Sequence, residues 1–162
     1  MIVVVTGVAA AGKSTLGRAL ARSLGWEYVE GDERHSAANR RKMAGGTPLS
    51  EADRAPWLDA LGEAIRRRAE RGDSAVVSCS CLRRDHRDRL RGTGVRFVHL
   101  EIDPATARER LEEREGHFFG SGLAESQFEA WEAPVSGVRL DARKPVDDLV
   151  REARAALGID EA

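Results

Sequence analysis

No apolar run in the 162 residues approaches the roughly 20 that a membrane-spanning helix needs. The opening MIVVVTGVAA is apolar, but it carries no basic segment and runs straight into a glycine motif. It reads as a buried strand rather than a signal peptide. Cysteine is scarce: only Cys79 and Cys81 occur. They are too close for a disulfide framework and too few for a metal site, so they read as reduced thiols of a cytoplasmic protein. Charge bias is missing too, with Lys plus Arg at 26, Asp plus Glu at 27 and a net charge of -1. That balance gives no reason to expect nucleic acid or an anionic membrane as partner. There are no repeats, low-complexity segments or linkers. What remains is a single domain over residues 1–162, 41% hydrophobic and 33% charged, long enough to bury a core.

Short β-rich runs alternate with helical patterns. IVVVT (Ile2–Thr6) is continuously apolar, as a strand covered on both faces requires. A helix carrying Leu16, Ala19, Leu20 and Leu24 follows and stops at Gly25. WEYVE predicts a second strand. Ser50 with Asp53 resembles a capping box, opening a helix with Trp57, Leu58, Leu61 and Ile65 that ends near Gly72. SAVVSCS and VRFVHLEI predict the third and fourth strands. Asp103-Pro104 starts a helix that runs to about Glu115. GVRLD is a weak fifth strand, and Pro145 opens the last helix. This alternation predicts an α/β fold, a mostly parallel sheet with helices on both faces.

Residues 7–14, GVAAAGKS, fit the pattern G-x-x-x-x-G-K-[ST] between a strand and a helix. Gly7 and Gly12 allow backbone angles through which N–H groups converge on one anion, and the helix points its positive end there. The loop Gly7, Val8, Ala9, Ala10, Ala11, Gly12, with Lys13, Ser14 and Thr15, is thus a candidate ATP cradle. Lys13 reaches the outer phosphates, and the Ser14 hydroxyl is the candidate Mg2+ ligand. An Asn-Lys-x-Asp base-reading motif is missing, which disfavours a guanine-nucleotide switch. The third strand ends in Ser and Cys rather than a magnesium-binding acid, which disfavours a motor ATPase.

A small-molecule kinase needs an acceptor pocket and mobile positive charge over the transferring group. ARERLEEREGHFFGSG offers the charge. Arg110 and Arg114 share one helix face, and glycines at 116, 120 and 122 then break regular structure. The stretch reads as a closing lid or as a solvated helix end; the adjacent phenylalanines of GHFF favour a lid over about 110–134. The acceptor side starts at GDERHSAANRRKM. Asp32 follows the second strand at the sheet edge where open α/β folds bind ligands, and it can orient an attacking hydroxyl. His35, Asn39, Arg40, Arg41 and Lys42 follow on a short helix, within an acceptor section of about 31–72.

At this point a resemblance becomes specific. Gly31, Asp32, His35, Asn39, Lys42, Met43, Gly46, Pro48, Leu49, Asp53, Arg54, Pro56, Trp57 and Leu58 resemble the gluconate kinase family. So do CSCLRRDHRDRLR at 79–91, Gly116–Phe119, Ser126–Phe128 and Glu132–Pro134. The resemblance implies ATP-dependent phosphorylation of D-gluconate at the 6-hydroxyl. It implies a nucleoside-monophosphate-kinase-like fold, a five-stranded parallel sheet with a lid, in a cytoplasmic homodimer. Within it Asp32 looks like the catalytic carboxylate, and Lys13, Arg110 and Arg114 look like the groups that neutralise phosphoryl oxygens. His35, Arg54, Arg83 and His117 look like acceptor-side residues. Arg143, Lys144 and Pro145 stand, by position, where such folds hold adenine.

The chain departs from the family pattern at several places. Cys81 replaces Ala, Arg83 stands where Lys is common, and His86 replaces Tyr. Ser36 replaces Pro, Arg34 an apolar residue, and Trp131 a Leu. Arg83 matters most, because a planar fork and a point charge recognise anions differently. Trp26, Trp57 and Trp131 read most simply as packing residues, and Arg54 as either a capping ion pair or a substrate contact. A kinase of another small acid such as shikimate remains an alternative, disfavoured by the missing Asp-x-Asp and Gly-Gly-Gly runs. So does a nucleotide-binding module without turnover.

Overall fold

Five parallel strands stand in the order β2-β3-β1-β4-β5. The computed structural model describes residues 1–114 and 121–160, with backbone alone over 121–123. The strands are β1 (Ile2–Thr6), β2 (Glu27–Glu30), β3 (Ala75–Ser78), β4 (Val95–Glu101) and β5 (Val138–Asp141). The helices are α1 (Lys13–Leu24), α2 (Ala37–Ala44), α3 (Glu51–Glu70), α4 (Arg84–Leu90), α5 (Pro104–Glu113), α6 (Ser121–Ala130) and α7 (Val146–Leu157). A 3-10 turn, Gly31–Arg34, follows β2.

The apolar run of β1 has a direct cause. The strand pairs with β3 on one side and β4 on the other. Val3 and Val5 pack with Leu16 and Leu20 of α1 and Leu149 of α7. Ile2 and Val4 pack with Trp57, Leu58, Leu61 and Ile65 of α3. No residue of β1 meets water, so a polar alternation has no place in it. The chain leaves β1 for the edge strand β2, returns to β3 beside β1, and then builds β4 and β5 on the opposite side. The crevice at the carboxyl ends of β1 and β3 is therefore the switch point of the sheet.

The expected caps form. The Ser50 hydroxyl accepts from the Asp53 N–H at 3.1 Å, and the Asp53 carboxylate accepts from the Ser50 N–H at 2.9 Å. Asp103 caps α5 through the Thr106 N–H at 2.9 Å. Three details differ from the sequence reading. His35 precedes α2 instead of riding on it, because Ser36 caps that helix by accepting from the Asn39 N–H. α4 occupies a stretch read only as motif. Gly122 falls inside α6 rather than breaking structure; it sits in the first turn, where no i→i−4 bond is yet at stake. Gly116, Gly120 and Glu115 lie outside the described residues.

Candidate active site

The phosphate loop is fixed by backbone geometry. Gly12 turns at φ 93 and leads into α1, whose first turn holds no acid to neutralise its positive end. Ala10 also sits at positive φ, 65, in a region that costs a residue with a Cβ about 1–2 kcal/mol. The strain is held at the loop that would meet the ligand. Lys13 folds back on the loop, its Nζ donating to the Val8 carbonyl at 3.1 Å.

Ser14 is already engaged. Its hydroxyl donates to Glu30 Oε2 at 2.6 Å. Tyr28 donates to the same oxygen at 2.7 Å, and Ser78 donates to Oε1 at 2.7 Å. Burial alone would raise the Glu30 carboxyl, but the hydroxyls of Ser14, Tyr28 and Ser78 reverse the sign and hold it below the usual range. Sequence reasoning passed over Glu30. Its only local signal is an acid ending a strand two residues before Asp32; the partners that make it a site come from α1 and β3.

Asp32 opens onto the main cleft, a space of about 380 Å³ that Lys13, Ser14, His35, Arg54, Trp57 and Arg114 also line. That size suits a small polar ligand. Gly31 precedes Asp32 because a Cβ there would meet the Ser78 carbonyl at 2.2 Å. The surrounding protein desolvates the Asp32 carboxyl and raises it above the ordinary range; Lys13 opposes this shift and Glu30 adds to it.

His35 is buried, stacked on Trp57 with ring centroids 3.9 Å apart. Burial, with Arg54 and Arg40 nearby, lowers it to about 4, so it is neutral at pH 7. The Asn39 amide nitrogen donates to the Asp53 carbonyl at 2.8 Å and lies 3.3 Å from His35 Nδ1. Nδ1 therefore accepts, and Nε2 carries the proton. Trp57, read as packing, does pack, but it also lines the cleft and anchors its floor by donating to the Gly31 carbonyl at 2.8 Å. Arg54 pairs with Glu51 at 3.2 Å and still reaches the cleft. Lys42 is taken up by Asp53 at 2.8 Å. Neither Lys42, Arg40 nor Arg41 lines the cleft.

Arg110 joins two loops. It donates to the Ala10 carbonyl at 3.2 Å and to the Ala142 carbonyl at 2.6 Å. It lines a second cleft beside the phosphate loop with Thr15, Leu16, Arg114 and Lys144. Arg143 instead pairs with Asp141 at 2.8 Å, and Pro145 caps α7. Arg83 does not line the main cleft; it caps α4 and lies 3.4 Å from Asp85 and 4.0 Å from Glu132. His117 lies outside the described residues.

Residues 2–137 match the AAA domain family. Over 154 residues the chain is 40% identical to the gluconokinase of Gluconobacter oxydans (strain 621H), covering 92% of this chain and 86% of that protein. The chain belongs to the gluconokinase family. A solved gluconokinase from Sinorhizobium meliloti 1021 is 42% identical with a TM-score of 0.87, covering 96% of this chain and 90% of that one. An unliganded sugar kinase from Janibacter sp. HTCC2649 is 39% identical with a TM-score of 0.92, covering 98% and 95%.

Departures from the gluconokinase pattern find structural roles. His86 is buried; its Nδ1 accepts from the Arg83 N–H at 3.4 Å, so Nε2 donates to Glu51 at 2.9 Å. Glu51 in turn holds Arg54. Trp131 lies under the guanidinium of Arg87, 5.5 Å from ring centroid to Cζ. Arg87 is buried and donates to the carbonyls of Cys81, Leu82 and Glu132 at 3.1, 3.1 and 2.8 Å. It fastens the chain after α6 to the loop after β3.

Proposed function

We propose that the protein transfers the γ-phosphoryl group of ATP to the 6-hydroxyl of D-gluconate, yielding 6-phosphogluconate and ADP. The observation that carries the reading is a single cleft. It is bounded by Lys13 and Ser14 on the phosphate loop and by Asp32, His35 and Arg54 on the acceptor side, in a chain of the gluconokinase family. Asp32 orients the attacking hydroxyl and takes its proton. Neutral His35 offers its Nε2–H to a hydroxyl of the acceptor, and Arg54 supplies the cation for the gluconate carboxylate. Lys13 lies at the outer phosphates, and Arg110 and Arg114 add charge from the segment expected to close as a lid over about 110–134. Thr15, Leu16 and Lys144 line the space that suits the adenine.

Mg2+ neutralises phosphate charge when bound. The oxygen donors suit this hard cation: the Ser14 hydroxyl would be the direct ligand, and Glu30 would orient it by accepting its hydrogen bond. No helix among the described residues is long and apolar enough to cross a membrane. We place the enzyme in the cytoplasm as a homodimer on the strength of the family resemblance.

The test is an acceptor screen with ATP and Mg2+, reading ADP release, followed by NMR of the product. Gluconate should exceed shikimate and every nucleoside monophosphate, with phosphorus coupled to the C6 protons. Nucleotide binding without turnover of any sugar acid would contradict the reading.

A further inference from the structure

Gln127 is one letter of the Ser126–Phe128 match and carries no role in the reading so far. It lies on α6, the helix of the expected lid. Gln127 and Phe128 follow Ala124 by three and four residues, flanking it on one side of that helix. Ala124 packs with Ala10, Ala107 and Leu111, and Phe128 packs against the same cluster. The apolar pair thus seats α6 on the phosphate loop, with the Gln127 amide beside it reaching the loop. Gln127 Oε1 accepts from the Ala9 N–H at 2.6 Å. Lys13 Nζ rests on the carbonyl of the preceding residue, Val8. Since this lysine reaches the outer phosphates, Ala9 marks the outer-phosphate end of the cradle. Gln127 lines the same cleft as Lys13, Asp32 and Arg54.

We propose that Gln127 is a further group of the transfer machinery: held by its oxygen on the Ala9 N–H, it donates its amide N–H to the phosphoryl group passing from ATP to the acceptor. The inference rests on the kinase reading above. A carboxamide fixed through its oxygen keeps two N–H donors. Charge spreads over the equatorial oxygens of the transferring group, and donors fixed beforehand stabilise it without reorganising. The amide is neutral, so it adds a donor next to Lys13 without repelling it. A carboxylate in its place would still accept from Ala9 but would repel the phosphoryl oxygens.

The experiment compares Gln127→Glu and Gln127→Ala with the wild type, using the full chain, ATP, Mg2+ and gluconate. Rates, ADP affinity by calorimetry and melting temperature are read together. Gln127→Ala should lose about 100-fold in kcat, the order one donor to developing charge is worth, and Gln127→Glu should lose more because it adds a repelling charge. In Gln127→Ala the KM for ATP, the KM for gluconate and the ADP affinity should stay within about threefold, because the donor acts on the transition state. A kcat near wild type in Gln127→Glu overturns the proposal. So does a loss of kcat in Gln127→Ala that tracks a falling melting temperature or weaker ADP binding, which would make Gln127 a structural latch. The wild-type rate separates the two claims. An active wild type with unaffected variants defeats this inference alone, whereas a wild type inactive on gluconate defeats the functional reading and this one with it.

Discussion

Lowering the pH from 7 to 5 should destabilise this protein through two buried histidines, His35 and His99. Burial lowers both His35 and His99 from 6.5 to about 4. His99 is held by two bonds: its Nε2 donates to the Ser136 carbonyl at 3.0 Å, and the Thr6 hydroxyl lies 2.6 Å from Nδ1. In each case the folded pKa lies below the unfolded one. As pH falls through 6.5 the unfolded chain takes up a proton and the folded chain does not, so stability declines until about 4, where both forms are charged. Integrating between pH 7 and 5 gives a loss of about 2 kcal/mol for each histidine. Urea unfolding at several pH values, followed by fluorescence of Trp26, Trp57 and Trp131, measures it. Asp32, whose pKa is raised, contributes with the opposite sign at lower pH. Comparison with a variant cancels that contribution. His99→Gln keeps a donor for Ser136 and does not titrate, so its loss between pH 7 and 5 should be smaller by about 2 kcal/mol. A variant that loses as much stability as the wild type over this window would refute the reasoning.

Other perturbations have defined outcomes. Lys13→Ala should fold and lose about 10³-fold in kcat, since the outer phosphates lose a fixed charge; a near-normal kcat would remove the phosphate-loop assignment. Arg114→Ala, and less so Arg110→Ala, should lower kcat more than ATP affinity, and a change confined to the KM for ATP would make both ground-state binding groups. Glu30→Gln should raise the Mg2+ needed for half-maximal rate by about tenfold and weaken Mn2+ binding to the ADP complex equally. Unchanged metal dependence in both readouts would leave Glu30 as packing only.

The parts of this molecule legible in its sequence are those set by local physics. A strand buried on both faces is apolar throughout, and β1 reads that way. The capping box at Ser50 and the phosphate loop are defined within a few residues, so both are visible as spacing. Glu30 is different: its partners Ser14 and Ser78 are 16 and 48 residues away, and only the sheet order joins them. Gln127 meets Ala9 across 118 residues. Arg87 hides its charge among backbone carbonyls, which leave no side-chain signature at all. Arg83 stands apart from the acceptor-side candidates His35 and Arg54, since it does not line the cleft. The resemblance alone makes it a candidate, and its charged neighbours are Asp85 and Glu132. Asp32 and His35 are readable as candidates from their place after the second strand, but the neutral tautomer of His35 follows only from Asn39 bridging it to the Asp53 carbonyl.

The account centres on Asp32 as the group that holds the attacking hydroxyl in line. Asp32→Asn keeps the shape and hydrogen bonding and removes the charge and basicity. The deciding measurement is its kcat with ATP and gluconate both saturating. The protein should fold and bind ATP as the wild type does, while kcat falls by roughly 10²- to 10⁴-fold. An Asp32→Asn protein that keeps most of its kcat would contradict the account, leaving GDERHSAANRRKM a charged surface beside an active site centred elsewhere.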